Sequence, residues 1–319
     1  MEENSSVALL EHALGHRSTA NVTASSCLEV ICAWPVSGQY GPGTRFLYYI
    51  LIISCVLVRK AQWLRAGCVS AVLVFSAVAA LHAIVLATLH ADGAVDLDIY
   101  GMFQLCAIGV LTGPVIFRLS EDFWSTPGRG VIFLWTVTLL AGLLSLVIEF
   151  MRVTATICPS DDPASISWAT GGMFTYGSNC STACTPEHGP ISSLRLGPAD
   201  NIYVVPVPTE LSTGTTTLIA AGCCLTLLLL LVATFKILDT RLGFSGKFKL
   251  VLEIWGDLLI LPIFTALMLA VLVKGEMNFW SLQMKYQTEA MQSIVGQWAP
   301  VVGTALAILG AICWKNEDS

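Results

Sequence analysis

The sequence predicts an all-α fold, a polytopic membrane bundle of about seven transmembrane helices with a lumenal N-terminus and a cytoplasmic C-terminus. Of its 319 residues, 55% are hydrophobic and only 12% are charged, whereas soluble domains carry about 25% charged residues. Long runs that are almost free of charge recur along the chain. Lysine and arginine are unevenly divided between the segments that join these runs, and this asymmetry predicts the orientation.

The spans follow from the length of the apolar runs. A transmembrane helix needs roughly 20 apolar residues, with about 17 to 25 tolerated. Each run is expected to be helical, because an open strand in lipid leaves backbone groups unpaired. The first run begins at Pro42, a residue favoured at the start of a helix. The predicted spans are 42–58, 66–89, 99–119, 131–151, 215–235, 250–273 and 297–314.

The orientation follows from the positive residues. With the N-terminus outside, the short inner loops hold Arg59, Lys60, Arg65, Arg118, Arg129, Lys236, Arg241, Lys247, Lys249 and Lys315. The much longer outer segments hold only Arg17, Arg45, Arg152, Arg195, Lys274 and Lys285. Positive residues favour the cytoplasmic side. The chain therefore divides into a lumenal segment 1–41, a bundle 42–314 with a lumenal loop 152–211, and a cytoplasmic tail 315–319.

The outer segments carry two further marks of a lumenal side. Three sequons for N-glycosylation lie there, at Asn4, Asn21 and Asn179. Five of the 11 cysteines also lie there, where an oxidising compartment lets disulfides persist. These five are Cys27, Cys32, Cys158, Cys180 and Cys184, and their spacing leaves the pairing open. The lumenal loop is either a flexible glycosylated segment or a cap that its cysteines help to order.

Unusual polar residues concentrate at the outer ends of the spans. Polar groups within a bundle are expensive and mark functional sites. Glu149 and Arg152 are three residues apart and so share a helix face, either as part of a site or as an interfacial ion pair. Asp98 begins the third span and Gln104 follows it. The alternative for Asp98 and the aspartates before it is a solvated loop with a helix cap.

The stretch 275–289, GEMNFWSLQMKYQTE, holds the densest polar and aromatic chemistry. Read as a short helix, it places Glu276, Trp280, Gln283 and Gln287 on one face, at spacings of four, three and four. An apolar stripe occupies another face. The stretch is therefore either an interfacial helix lying on the membrane or a lid that turns Glu276 and two amides toward a pocket.

Several function classes lack their signatures. No basic cluster interleaved with aromatic residues is present, so a nucleic-acid partner is not expected. Asp-rich motifs for a metal-bound diphosphate are missing, as are hydrolase, P-loop and dinucleotide motifs. No cluster has metal-ligand spacing. We therefore expect a protein without metal or cofactor.

Seven spans with an outer N-terminus are also the topology of a G-protein-coupled receptor. Acidic residues within a bundle can also carry protons in a transporter. The receptor reading lacks its motifs, because 118–122 reads RLSED after the third span and the last span ends AICW. The transporter reading lacks an inverted repeat. A non-enzymatic membrane protein, either a transporter or a receptor, nevertheless remains the alternative.

Five blocks of the sequence carry a family resemblance, namely YGPGTRFLYY at 40–49, DIYGMFQLC at 98–106, IFLW at 132–135, NIYVVP at 201–206, and 275–289 running on to GQWAP at 296–300. In these blocks, and over nearly its full length, the chain resembles a group of fungal multi-spanning membrane proteins. The group includes the membrane terpene cyclases of meroterpenoid pathways, of the ascochlorin and ascofuranone type, and many members have no assigned activity. The resemblance implies a cyclase or isomerase of secondary metabolism, in the endoplasmic reticulum, that acts on a farnesylated and epoxidised aromatic.

The implied reaction begins by protonating an epoxide or an olefin, after which the cation cyclises. The resemblance supplies no catalytic motif, so the roles rest on depth and grouping. We expect Glu276 to donate the proton, with Glu149 and Asp98 as the other candidate acids and Arg152 orienting a carboxylate or a polar head. Burial can raise a carboxyl pKa toward neutral, as a general acid requires. The expected substrate-binding residues are Trp280, Gln283, Gln287, Tyr100 and Gln104. The expected partners are a lipophilic prenylated small molecule and the bilayer.

Overall fold

In the computed structural model, the described residues are 28–57, 62–119, 126–158, 194, 202–208, 211–239, 261–281, 284, 300, 302 and 304. They are mostly helical, as the sequence predicts. The helices are α1 (Pro42–Leu57), α2 (Gln62–Thr88), α3 (Asp98–Leu119), α4 (Thr126–Arg152), α5 (Thr213–Asp239) and α6 (Leu261–Phe279). Within the described part, three segments are long and apolar enough to cross a membrane, namely Leu64–Thr88, Gly130–Arg152 and Pro262–Phe279.

The first five helices begin and end within a few residues of the predicted spans. The sixth differs at its end, because α6 continues past the predicted boundary at residue 273 and reaches Phe279. A helix ends where its backbone pairing ends, and one glycine does not interrupt it. Gly275 and Glu276 therefore lie in the last turns of α6. Most of the remaining stretch to residue 289 lies outside the described residues, and its two interpretations stay predictions. Of the predicted seventh span, only residues 300, 302 and 304 are described, and these are helical.

The sequence analysis did not predict the small sheet at one end of the bundle. Its central strand is β1 (Glu29–Trp34), and its other strands are β2 (Val95–Asp96), β3 (Thr156–Ile157) and β4 (Tyr203–Pro206). β2 pairs with β1 in parallel, whereas β3 and β4 pair with it antiparallel.

The register shows how the sheet is arranged. Ala33 pairs with both β2 and β4, and Val30 pairs with both β3 and β4. A residue in a sheet pairs with one neighbour on each side, so β4 occupies one edge of β1 while β2 and β3 share the other. The strand β1 thus pairs with three other parts of the chain: the connection between α2 and α3, the segment after α4 and the segment before α5.

Cys32 and Cys158, at this sheet, are both disulfide-bonded. The N–H of Cys158 donates to the carbonyl of Leu28 at 2.8 Å, and the four steps along β1 from Leu28 to Cys32 span about 13 Å. A disulfide needs Cα atoms within about 7 Å, so these two cysteines do not bond to each other. Their partners lie outside the described residues. The prediction that outer cysteines form disulfides is confirmed for these two.

The helices alternate in direction relative to the sheet. Helices α1, α3 and α5 begin beside strands of the sheet, and α2 and α4 end beside them. The C-terminal turns of α6 contact the N-terminal turns of α1, because Glu276 pairs with Arg45. We call this side of the bundle the sheet end. One end of each of the six described helices lies there.

Two glycines allow close packing in the core of the bundle. A Cβ at Gly142 of α4 would lie 2.5 Å from the Cβ of Ala80 on α2, so these helices touch almost backbone to backbone. A Cβ at Gly101 of α3 would lie 2.5 Å from Tyr40. A larger side chain at Gly142 would push α2 and α4 apart, and one at Gly101 would push α3 away from Tyr40.

Candidate functional site

A buried ion pair joins α1 to α6 at the sheet end. Arg45 Nε donates to Glu276 Oε1 at 2.8 Å, and Nη2 donates to Oε2 at 3.1 Å. This is the bidentate geometry in which a planar guanidinium matches a carboxylate. The side chains are only 2% and 16% exposed, respectively. Glu276 is thus held as an ionised carboxylate in an otherwise apolar bundle.

Two further donors complete the shell of this carboxylate. The Tyr49 hydroxyl donates to Oε1 at 2.6 Å, and the Trp280 indole N–H donates to Oε2 at 3.1 Å. The Trp280 contact confirms that Trp280 and Glu276 share a helix face. Four charge-assisted hydrogen bonds from three side chains fix both oxygens of Glu276.

Arg45 is itself fixed from two other directions. Its Nη1 donates to the carbonyl of Tyr40 at 2.7 Å. Its guanidinium carbon lies 3.8 Å from the centroid of the Phe279 ring, a cation–π contact. Each of the three guanidinium nitrogens therefore has a hydrogen-bond acceptor. Arg45 cannot move without breaking its contacts with Tyr40 and Phe279.

Gln104 connects this network to α3. Its Nε2 donates to the Tyr49 hydroxyl at 2.7 Å and lies 3.5 Å from Glu276 Oε1. Gly275 leaves the room for it, because a Cβ there would lie 2.4 Å from Gln104 Nε2. We call the set Arg45, Tyr49, Gln104, Glu276 and Trp280 the inner cluster. It brings together three of the predicted site residues, namely Glu276, Trp280 and Gln104.

Gln104 of the inner cluster and the nearby Asn278 have buried side-chain atoms without hydrogen-bond partners. Gln104 Oε1 and both polar atoms of Asn278 are buried and make no hydrogen bond. Asn278 is 0% exposed and lies three residues after Gly275, on the same face of α6. Buried polar groups are nearly always paired, so each such atom requires an explanation.

A second group of charges lies at the sheet end between the end of α2 and the end of α4. His90 Nδ1 lies 2.9 Å from Glu149 Oε2, and Arg152 Nη1 lies 2.9 Å from Glu149 Oε1. Arg152 also donates to the carbonyl of Ala87 at 3.2 Å. We call His90, Glu149 and Arg152 the outer cluster. Glu149 and Arg152 thus form an ion pair, which was one of the two interpretations of their shared helix face.

The outer cluster borders a small pocket that is open to solvent. Trp34 of the sheet, Asp96 and Leu86 are among its lining residues. The arginine of the outer cluster is more exposed than that of the inner cluster, with 43% of the Arg152 side chain exposed and 2% of the Arg45 side chain.

The other predicted site residues lie apart from both clusters. Asp98 is buried, and its carboxylate accepts a hydrogen bond from the Ser37 N–H at 2.6 Å. Its own N–H donates to Asp96 at 3.0 Å. Both aspartates are buried rather than solvated. Tyr100 is also buried and packs on the Phe150 ring, with centroids 5.9 Å apart. These residues join the sheet to α3 and α3 to α4.

Some predicted residues cannot be placed. Gln283 and Gln287 lie outside the described residues, and so do the sequon asparagines Asn4, Asn21 and Asn179. Their assignments stay predictions.

The sequence analysis missed Arg45, Tyr49, His90 and Asn278. For Arg45 a signal existed, because it is the one charged residue within the predicted span 42–58, and a charge inside a span marks a functional or paired group. In the sequence it was counted only among the loop charges. Asn278 lies in the polar stretch 275–289, but a tyrosine, an asparagine or a histidine near a span end is common and assigns no role by itself.

The inner cluster combines a carboxylate, a hydroxyl that donates to it, a fixed positive charge and an amide donor. Arg45, Tyr49 and Gln104 are buried. Comparison with known proteins adds nothing to this description, because no family model, no curated protein and no solved structure matches the chain.

Proposed function

We propose that the chain crosses the membrane seven times, with the sheet end on the lumenal side of the endoplasmic reticulum. The alternating directions of α1 to α6 support repeated crossing. The disulfide-bonded Cys32 and Cys158 lie at the sheet end, and such bonds persist in oxidising compartments. The loop charges favour the same orientation.

We propose that the protein is a membrane-bound terpene cyclase or isomerase, acting on a prenylated aromatic whose farnesyl chain carries an epoxide. The observation that carries this proposal is the carboxylate of Glu276, held by four hydrogen bonds inside an apolar helical bundle. Intramembrane charges of this kind mark functional sites. A lipophilic substrate can reach such a site from the bilayer.

We propose a different proton donor from the one that the sequence predicts. Because Arg45 holds Glu276 as a carboxylate, Glu276 has no proton to give in the resting state. The nearest proton-bearing group is the Tyr49 hydroxyl, 2.6 Å from Glu276 Oε1. We assign Tyr49 as the donor and Glu276 as the base.

The proposed reaction conserves all atoms. Tyr49 gives its proton to the epoxide oxygen, the C–O bond breaks, and an olefin electron pair closes the ring onto the carbocation. The Gln104 N–H, 2.7 Å from the Tyr49 oxygen, stabilises the phenolate. Glu276 then removes a proton from carbon to form the product olefin and returns that proton to Tyr49. The product is an isomer of the substrate.

Aromatic rings near the inner cluster supply cation stabilisation. Phe279 stacks on Arg45, and Trp280 is 60% exposed beside Glu276. An aromatic face stabilises a cation by about 0.5 to 2 kcal/mol. Exclusion of water prevents early quenching of the carbocation.

The test uses yeast microsomes that contain the full chain and an epoxyfarnesyl phenol. We expect a product of identical mass and new retention time. Tyr49→Phe removes the donor but keeps the ion pair, and we expect conversion to fall by about 10² to 10⁴. The matched control is Tyr48→Phe, because the Tyr48 hydroxyl donates to the carbonyl of Leu105 and lies outside the network.

Two outcomes would contradict the proposal at different levels. Full conversion by Tyr49→Phe would exclude Tyr49 as the donor while leaving a cyclase. No conversion of several prenylated phenols by folded parent protein would exclude the cyclase. Movement of an unchanged solute into vesicles would then favour the transporter.

A further inference from the structure

Hydrogen-bond donors occupy all the lone pairs of the Glu276 carboxylate. Each carboxylate oxygen offers about two lone pairs. Oε1 accepts from Arg45 Nε and the Tyr49 hydroxyl, and Oε2 accepts from Arg45 Nη2 and the Trp280 indole N–H. Gln104 Nε2 also approaches Oε1, at 3.5 Å. A base needs a free lone pair to accept a proton, so one donor must leave before Glu276 can take a proton from carbon.

The donors to this carboxylate differ in how firmly they are held. Arg45 and Tyr49 are buried in the bundle, and the guanidinium also contacts Tyr40 and Phe279. Trp280 is 60% exposed and directly follows the last residue of α6. Exposed side chains change rotamer within picoseconds to nanoseconds. Trp280 is therefore the donor that can leave while the ion pair stays in place.

The exposed side of the inner cluster is lined by aromatic and apolar side chains. Phe46 of α1 is exposed and packs edge-on against the Tyr49 ring, with centroids 6.1 Å apart. An exposed ring thus adjoins each partner of the Tyr49–Glu276 hydrogen bond, since Trp280 adjoins Glu276. Helix α3 packs against both α1 and α6, whereas long side chains join α1 to α6 at this point. Side-chain movement alone can therefore open the cluster toward lipid.

We propose that Trp280 is the gate through which a lipophilic molecule reaches the inner cluster from the bilayer. When the indole swings away from Glu276 Oε2, it vacates the volume of its own ring beside the carboxylate and frees a lone pair of that oxygen. The molecule enters this volume, and the freed oxygen becomes the base. The indole then covers the molecule from outside, which shields the carbocation from water. The inference rests on the proposed function for the identity of the molecule and for the role of the base.

Two substitutions separate the hydrogen bond of the gate from its bulk. Trp280→Phe removes the N–H and keeps an aromatic ring, whereas Trp280→Ala removes the ring as well. Both leave the two hydrogen bonds from Arg45 to the carboxylate. Met277→Ala is the matched control, because Met277 is also exposed on α6.

The experiment uses the full chain in lipid vesicles and a phenyl diazirine that dissolves in the bilayer. On illumination the diazirine loses N₂, and the resulting carbene inserts into nearby O–H bonds. Mass spectrometry of peptides measures the label on the Tyr49 hydroxyl relative to the label on Ile50, which is exposed on α1. We expect this ratio to rise by about tenfold or more in Trp280→Phe, the value of one hydrogen bond to a charged group. It should rise at least as much in Trp280→Ala and stay parental in Met277→Ala.

Three results would overturn the inference. A parental ratio in both Trp280 variants would show that the indole does not control access. An equal rise in Met277→Ala would make the effect a general loosening of α6. Label on Tyr49 as strong as on Ile50 in the parent would mean that the cluster is open without a gate. The proposed reaction is tested separately by conversion, so labelling that depends on Trp280 without turnover of prenylated phenols would keep the gate and exclude the cyclase.

Discussion

The inner and outer clusters each place an arginine on a glutamate at the same end of the bundle, yet their surroundings differ. In the inner cluster, Arg45 is 2% exposed and reaches a glutamate 231 residues away. In the outer cluster, Arg152 is 43% exposed and pairs within its own helix turn. Both glutamates are largely buried, with Glu276 16% and Glu149 7% exposed, so the clusters differ chiefly in the arginine. A buried arginine links distant segments, whereas an exposed one contributes little to stability.

Removing Arg45 should give the largest effect of the variants that test this comparison. Arg45→Met leaves Glu276 buried without its counter-charge, and we expect a loss of about 3 to 5 kcal/mol in the free energy of unfolding. Thermal unfolding in detergent measures it. The double variant with Glu276→Gln should recover much of the loss, because no uncompensated charge remains. Additive losses would contradict the coupling of the pair.

Reduction of the disulfides should affect the two clusters unequally. Cys32 lies in β1, whose last residue, Trp34, lines the pocket beside the outer cluster. Losing a disulfide typically costs about 2 to 4 kcal/mol. After reduction, hydrogen exchange should speed up in β1 and β3 and stay slow in α6. Equal loss of protection in α6 would mean that the sheet also holds the inner cluster together.

Filling the space that Gly275 leaves beside Gln104 should give a smaller and more local effect. Gly275→Ala adds a Cβ at 2.4 Å from Gln104 Nε2, so the side chain must leave its hydrogen bonds. We expect a loss of about 1 to 3 kcal/mol, as for overpacking, measured by thermal unfolding. Gly222→Ala is the matched control, because a Cβ there meets nothing within 4 Å. It should stabilise α5 by about 0.5 to 1 kcal/mol.

Removing Arg152 should give the smallest effect. Arg152 is 43% exposed, and Glu149, although only 7% exposed, keeps His90 as a second partner at 2.9 Å. An ion pair with one exposed partner contributes about 0 to 1 kcal/mol and weakens with salt. Arg152→Met should lower the free energy of unfolding within that range, and the difference from the parent should shrink in 1 M salt. A decrease in the free energy of unfolding as large as that of Arg45→Met would contradict the distinction between the two clusters.

The sequence predicted the helices well because apolar length is a local property. It set the end of the sixth span at Val273, where the apolar run stops, but α6 continues because a helix needs only backbone pairing. It missed the sheet because β2 and β3 have two residues each, too few for a periodic signal. It also missed the pairing of Arg45 with Glu276, since contacts between distant segments arise only when the helices pack.

The most direct test of the account compares the clusters in one activity assay. Microsomes that contain the parent, Tyr49→Phe or Glu149→Gln receive the same epoxyfarnesyl phenol, and the isomeric product is measured against the amount of folded protein. The account predicts that Glu149→Gln forms the isomer at close to the parental rate, whereas Tyr49→Phe loses it. Loss of product in Glu149→Gln with full conversion by Tyr49→Phe would contradict the account and move the reaction to the outer cluster.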